Sequence, residues 1–297
     1  MKTHWITPEE IRPLLKPRAK ETHKGTYGHL LLIGGSATKP GAILLAGKAA
    51  LRTGAGLVTV ALPDKAFERF PKNFLELMYE PLPSSSSGTL SRKGWKKLAP
   101  SIEGKSAVGV GPGMGVNADT KAIVAQLIKK AEVPLILDAD ALNCLSSSPS
   151  LISPPLRGGG RGRVILTPHP GEMARLLGIS TAKVQKDRIG IAQKFSKKHG
   201  VVLVLKGHRT VIATPSGEVY INSTGNPGMA TAGMGDVLTG IIASLIGQGM
   251  SPEKAAIAGV FLHGRAGDHV AKRLGDRGLL ATDVIEEIPL AIKELLE

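Results

Sequence analysis

A 297-residue chain that is 42% hydrophobic and 21% charged has the composition of a packed globular protein, which excludes a disordered or fibrous one. Its net charge of +14 favours anionic partners, yet aromatic residues at 3% offer few rings for base stacking and no RNP or helix-turn-helix pattern occurs, so phosphorylated small molecules fit better than nucleic acid. The lone cysteine, Cys144, excludes an internal disulfide and fits a reducing cytoplasm, and no run approaches the ~20 apolar residues of a membrane helix.

Residues 1–20 mix charges of both signs with Pro8, Pro13 and Pro17 and lack the apolar stretch of a signal peptide. The apolar run at 30–33 predicts a strand ending in Gly34, Gly35 and Ser36; a helix is predicted over 42–52 and a second strand over 57–62. A serine-rich loop at 81–88 follows, then a strand at 107–110 ending in Gly111, Pro112 and Gly113, and a helix at 120–130. The strand at 135–137 closes on Asp138, Ala139 and Asp140. Composition makes 146–163 a loop, with Gly158, Gly159, Gly160 and Gly162 in it. A strand at 164–166 delivers Thr167, Pro168 and His169; helices at 172–177 and 183–198 follow, and a strand at 201–205 delivers Lys206 and Gly207. The runs 211–213 and 218–221, around Pro215, Ser216 and Gly217, read as a hairpin. The last third turns helical.

This alternation predicts the α/β class, with a mostly parallel sheet covered by helices. No internal repeat occurs, and the alternation resumes unchanged beyond each loop, so a single domain over 1–297 is expected. In an open sheet of this kind ligands bind in the crevice beyond the carboxyl ends of the strands. Glycines, carboxylates and basic groups follow these strands, and they are expected to converge on one cleft.

The stretch 225–236 ends in Gly233, Met234, Gly235 and Asp236 and runs into the apolar segment 237–246. A glycine-rich turn opening a helix presents free backbone N–H groups and the positive end of the dipole, an anion hole for a phosphoryl group. Asp236 would then accept a proton, or serve only as a first-turn acid. Lys206, Gly207, His208, Arg209 and Thr210 offer two permanent cations and a hydroxyl to a phosphate; a solvated turn is the plainer alternative. Pro168 and Pro170 restrict the backbone around His169, which either faces a ligand or opens a helix with Glu172 in its first turn. Asp138 could hold Mg2+ or form a turn. Neither the 34–36 turn nor the glycines at 111, 113 and 115 continue as G-x-G-x-x-G, which weighs against a dinucleotide-dependent dehydrogenase.

Together with 24–29, Pro40, Gly41 and Ala42, and the 52–60 run, these motifs stand in the order seen in the ADP- or ATP-dependent NAD(P)H-hydrate dehydratase family, which the chain resembles from about residue 24 to about residue 269. The resemblance implies a ribokinase-like, three-layer α/β/α fold. It also implies that Ala42, Gly113, His169 and Asp236 touch the hydrated dinucleotide, and that Lys206, Gly207, His208, Arg209, Thr210 and Gly235 bind the adenine nucleotide. Asp236 would be the base. His169 and Glu172 look like the asparagine and glutamate pair that organises magnesium in related kinases, which implies a metal role for Glu172. Two departures stand out: 155–163 looks like an insertion, and Ala232 and Met234 stand where the family often has Gly and Thr.

The activity so implied is ADP- or ATP-dependent, Mg2+-assisted dehydration of the S-form of NADH hydrate and NADPH hydrate, a repair of nicotinamide nucleotides. Bifunctional members of the family carry an additional epimerase domain, for which the roughly 23 residues before Lys24 leave no room, so a separate epimerase is expected. The resemblance further implies a homo-oligomer, a tetramer. A ribokinase-like kinase that releases a phosphorylated vitamin or sugar could use the same base and anion hole, and is the alternative. A basic nucleic-acid-binding protein is suggested by charge alone and needs no aimed aspartate.

Overall fold

Successive residues of a strand point to opposite faces of its sheet, and the strand β2 (His29–Ile33) shows the result: Leu30 and Leu32 enter one core, Leu31 and Ile33 the other. The computed structural model describes residues 3–69, 74–146, 149–152 and 162–297. Its other strands are β1 (Thr3–Trp5), β3 (Leu57–Pro63), β4 (Met78–Leu82), β5 (Ala107–Val110), β6 (Leu135–Leu137), β7 (Val164–Leu166), β8 (Val202–Leu205), β9 (Val211–Ala213) and β10 (Val219–Ile221). All belong to one 10-stranded sheet in the order β1-β10-β9-β8-β7-β6-β5-β2-β3-β4. Among the described strands only β9 runs against its neighbours, and its antiparallel pairing with β10 is the expected hairpin.

The helices are α1 (Pro8–Ile11), α2 (Gly41–Thr53), α3 (Asp64–Phe67), α4 (Trp95–Leu98), α5 (Ala118–Lys130), α6 (Ala139–Leu145), α7 (Pro170–Leu177), α8 (Thr181–Lys186), α9 (Arg188–His199), α10 (Met234–Gly247), α11 (Pro252–Leu274) and α12 (Ala281–Leu296). Residues of α2, α10, α11 and α12 share a core with one face of the sheet, and residues of α5 to α9 share a core with the other. The three layers expected are the three observed.

Two departures from the sequence reading have physical causes. The helix expected over 183–198 breaks at Asp187 (φ −139°, ψ 63°), whose side chain accepts from Gly190 N at 2.8 Å and so caps a new helix at Arg188. Strands β1 and β4 were not anticipated; both lie at the ends of the sheet, where a residue such as Pro81 is tolerated because one side of the strand needs no partner. The expected insertion at 155–163 lies outside the described residues apart from Gly162 and Arg163. No helix among the described residues is long and apolar enough to cross a membrane.

The sheet order reverses between β2 and β5: from β2 the chain builds outward through β3 and β4, and from β5 in the other direction through β6, β7 and β8. Such a switch point leaves a crevice at the carboxyl ends of the strands. The turns after β2, β5, β6, β7 and β8 all open there.

Candidate active site

Asp138 leaves β6 on a backbone turned by Ala139, whose φ of 46° is a strained conformation for a residue with a Cβ. Its carboxylate is buried and engaged on both oxygens. Oδ1 accepts from Lys206 Nζ and from Thr167 Oγ1, each at 2.7 Å, and Oδ2 accepts from Thr239 Oγ1 at 2.9 Å. Asp138, expected either to hold magnesium or to form a turn, anchors Lys206 here through this hydrogen-bonded ion pair. Burial works against the charge of Lys206, but Asp138, Glu172 and Asp236 overcome it and hold its pKa above the ordinary lysine value.

The start of α10 meets this ammonium. Gly233 adopts φ 89°, the left-handed region that favours glycine, and a Cβ there would press to 2.7 Å from Leu45. The N–H groups of the first turn that follows have no partner within the helix and carry its positive end. A Cβ on Gly235 would lie 3.1 Å from Lys206 Nζ, which places cation and helix start side by side. Asp236 is the third residue of α10, and no side-chain capping bond is made at this helix start. Burial first, then the Asp138 carboxylate, push the pKa of Asp236 from 3.8 up to about 7. A carboxylate so tuned can take up a proton near neutral pH.

His169 is the cap of α7. Its Nδ1 accepts from Gly171 N at 3.0 Å and Glu172 N at 3.4 Å, while Glu172 Oε2 accepts from His169 N at 2.8 Å. This reciprocal pairing satisfies donors that the helix start would otherwise leave free, so the helix-opening alternative is realised. With Nδ1 accepting, the neutral ring carries its proton on Nε2, 3.4 Å from Glu172 Oε1. Burial, then the charge of Lys206, lower the pKa of His169 and keep the ring neutral at pH 7. The side chain is still 50% exposed. Burial raises the pKa of Glu172, whose Oε2 is 3.9 Å from Lys206 Nζ.

A cavity of about 440 Å³ opens beside this cluster, within the usual range for a small-molecule site. Lys206, Gly207, His208, Arg209, Thr210 and Gly235, the residues expected at the adenine nucleotide, all line it. Ala42, Gly113, His169 and Asp236 lie outside its lining, Asp236 next in sequence to the lining residue Gly235. Ala42 and Gly113 abut one another beyond the ends of β2 and β5: a Cβ on Gly113 would sit 2.9 Å from that of Ala42. Asp140 links the two parts, since its Oδ2 accepts from Gly115 N at 2.9 Å and its charge helps raise the pKa of Asp236.

Sequence reasoning missed Arg188. Its guanidinium donates to the carbonyl oxygens of Leu205 at 2.9 Å, Lys206 at 3.3 Å and His208, and so holds the 205–208 turn in place. An arginine on a polar helix carries no motif; only the tertiary fold brings it to that turn.

Among the described residues no group of three or more His, Cys, Asp or Glu side chains forms a metal cage. Magnesium needs less, taking one or two carboxylates together with substrate phosphates. Asp138, Asp140 and Glu172 each raise the pKa of Asp236, and Lys206 opposes them. A donor set with this surplus of negative charge fits a divalent cation, and Glu172, expected at the metal, is one of its carboxylates.

The layered sheet, the crevice at its switch point and the helix start facing a buried lysine place the chain in the ribokinase-like class of α/β proteins. The profile of the NAD(P)H-hydrate dehydratase family matches residues 30–290. The chain belongs to that family. It is 46% identical over 292 residues to the bifunctional NAD(P)H-hydrate repair enzyme Nnr of Moorella thermoacetica, covering 98% of this chain and 54% of that protein, so it spans about half that relative's length. The ADP-dependent (S)-NAD(P)H-hydrate dehydratase of Bacillus subtilis is 36% identical over 291 residues, 97% of this chain and 98% of that one. A crystal structure of the ADP/ATP-dependent NAD(P)H-hydrate dehydratase from Bacillus subtilis, co-crystallised with ATP and Mg2+, matches with a TM-score of 0.84 at 33% identity over 99% of each chain.

Proposed function

We propose that this chain removes water from the S-form of NADH hydrate and NADPH hydrate at the expense of ADP or ATP, restoring NADH and NADPH. The observation that carries the reading is Asp236: a carboxylate with a pKa of about 7, set beside Lys206, a helix start and a cavity of nucleotide size. Membership of the family and the ATP-bound relative support it.

Hydroxide is a poor leaving group at neutral pH, and phosphate is a good one. In the proposed reaction Asp236 accepts the proton of the substrate hydroxyl while that oxygen attacks the terminal phosphorus of the nucleotide, and the bond to the departing AMP or ADP breaks. Lys206 and the first-turn N–H groups of α10 hold the charge on the moving phosphoryl group. The ring nitrogen lone pair then expels phosphate, the neighbouring carbon loses a proton, and the ring double bond returns. Mg2+, held by Glu172 and phosphate oxygens, would neutralise charge on the nucleotide. Ala42, Gly113 and the open face of His169 would receive the dinucleotide, while Lys206, Gly207, His208, Arg209, Thr210 and Gly235 receive the adenine nucleotide.

The same reading takes residues 1–297 as one domain, all ten strands sharing one sheet, and sets it in the cytoplasm. A site that takes only the S-form depends on an epimerase activity to convert the R-form into it. The same reading takes the chain as a homo-oligomer, a tetramer; exposed apolar side chains on or beside the last two helices, Leu274, Leu280, Leu290 and Leu296, support association but not a subunit number. The test is to follow recovery of nicotinamide absorbance from hydrated NADH with Mg2+ and either nucleotide, while assaying phosphate. One phosphate released per NADH restored is the expected result. Accumulation of a stable phosphorylated compound would make the chain a kinase instead.

A further inference from the structure

One hydroxyl ties the Asp138 carboxylate to α10. Thr239 follows Asp236 by three positions and Gly235 by four, so it neighbours both on the surface of that helix. It is fully buried, and its Oγ1 donates to Asp138 Oδ2 at 2.9 Å. A threonine inside a helix commonly gives its one hydrogen to a carbonyl a turn back, as Thr53 of α2 does to Ala49 O at 2.7 Å; Thr239 donates to the carboxylate instead. The sheet makes room for this. A Cβ on Gly109, inside β5, would lie 3.4 Å from Thr239 Cγ2 and 2.8 Å from Leu32 Cδ2, and a glycine within a strand permits such a close approach.

The same carboxylate meets α10 again at its first turn. Asp138 Oδ2 is 3.6 Å, and Lys206 Nζ 3.1 Å, from the point where a Cβ on Gly235 would stand. Among the described residues no other side chain of α10 hydrogen-bonds to the cluster of Asp138, Thr167, Glu172 and Lys206. We infer, on the reading of Asp236 as the base, that Thr239 is a positioning residue: its hydroxyl locks α10 to the ion pair of Asp138 and Lys206 and so fixes where the Asp236 carboxylate stands relative to the cation that meets the phosphoryl group. Lys206 itself does not depend on this bond, because it is held through Oδ1, which Thr167 also secures. What the bond sets is the approach of the base to the substrate hydroxyl, where a small misplacement is costly in rate.

The test compares Thr239→Val, Thr239→Ser and Asp236→Asn with the parent in single-turnover dehydration of hydrated NADH with ADP and Mg2+, alongside the Kd for ADP by calorimetry and thermal melts. Thr239→Val keeps the shape and removes the hydroxyl; its rate is expected to fall about tenfold, the size of one buried hydrogen bond, with the Kd for ADP within about twofold of the parent. Thr239→Ser keeps the donor and should stay within about threefold of the parental rate. Should the valine variant fail to fold, Thr239→Ala set against Thr239→Ser makes the same comparison with no added atoms. Parental turnover in a folded variant lacking the hydroxyl overturns the inference. So does a serine variant as slow as the valine one, which would make the residue a packing element, and so does an equal loss of rate and ADP affinity, which would put the effect on Lys206. Parental turnover by Asp236→Asn overturns the reading of the base itself, whereas a slow Asp236→Asn beside a parental Thr239→Val leaves that reading standing and removes only the role of Thr239.

Discussion

At the scale of single residues the site is a problem in charge. Asp138, Asp140, Glu172 and Asp236 act on one another with Lys206 among them, and Asp236, half-buried and with no cation bonded to it, absorbs the strain as a pKa of about 7. A base works in its ionised form, so kcat/KM for the hydrate is expected to rise with pH and level off above about 7, as a pH-rate profile would show. The same shift sets the sign for stability. A carboxyl whose folded pKa lies above its ordinary 3.8 contributes stability in full below about 4 and loses it as the pH climbs through about 7, so denaturation midpoints should fall across that window. Asp138 has the opposite task, holding Lys206 in its buried position. Asp138→Ala leaves that cation only the more distant Glu172, at 3.9 Å, and is expected to cost about 3 kcal/mol by urea unfolding.

At the scale of elements the contacts that aim these groups come into view. A Cβ on Gly240 would lie 2.1 Å from Ala46 O, so α10 and α2 pack through bare backbone at that point. Gly240→Ala should push α10 aside and cost about 1–3 kcal/mol in thermal or urea denaturation, with kcat falling too because α10 carries Asp236. Arg188→Ala releases the 205–208 turn; the KM for ADP is expected to rise about tenfold in steady-state assays with kcat little changed. Arg188→Lys should not restore it, since one ammonium cannot span three carbonyls as a planar fork does. The inner strands were legible in the sequence because each is a short apolar run ending in glycine, proline, aspartate or lysine. The edge strands β1 and β4 were not, being short and, in β4, holding Glu80 and Pro81. Nor was the break at Asp187, which a local side-chain cap decides. Arg188 was invisible for a further reason: an ordinary residue on a helix becomes functional only through tertiary neighbours, which periodicity does not encode.

At the scale of the molecule the sheet order does the assembling. Strands β6, β7 and β8 are consecutive neighbours, so the residues that follow them, Asp138, Thr167 and Lys206, arrive at one place although loops and helices separate them in sequence. The strand-end turns predicted that convergence. What they could not supply is that His169 spends one ring nitrogen on capping α7, or that Asp138 is engaged on every side. The net charge of +14 suits the two polyanionic ligands of the proposed reaction. The central claim is that the Asp236 carboxylate takes the hydroxyl proton as phosphate is transferred. Its most direct test is single-turnover dehydration of hydrated NADH by Asp236→Asn, with ADP affinity measured on the same preparation. Nucleotide binding near the parental value with dehydration slower by about two to four orders of magnitude is the predicted result; dehydration at the parental rate would contradict it.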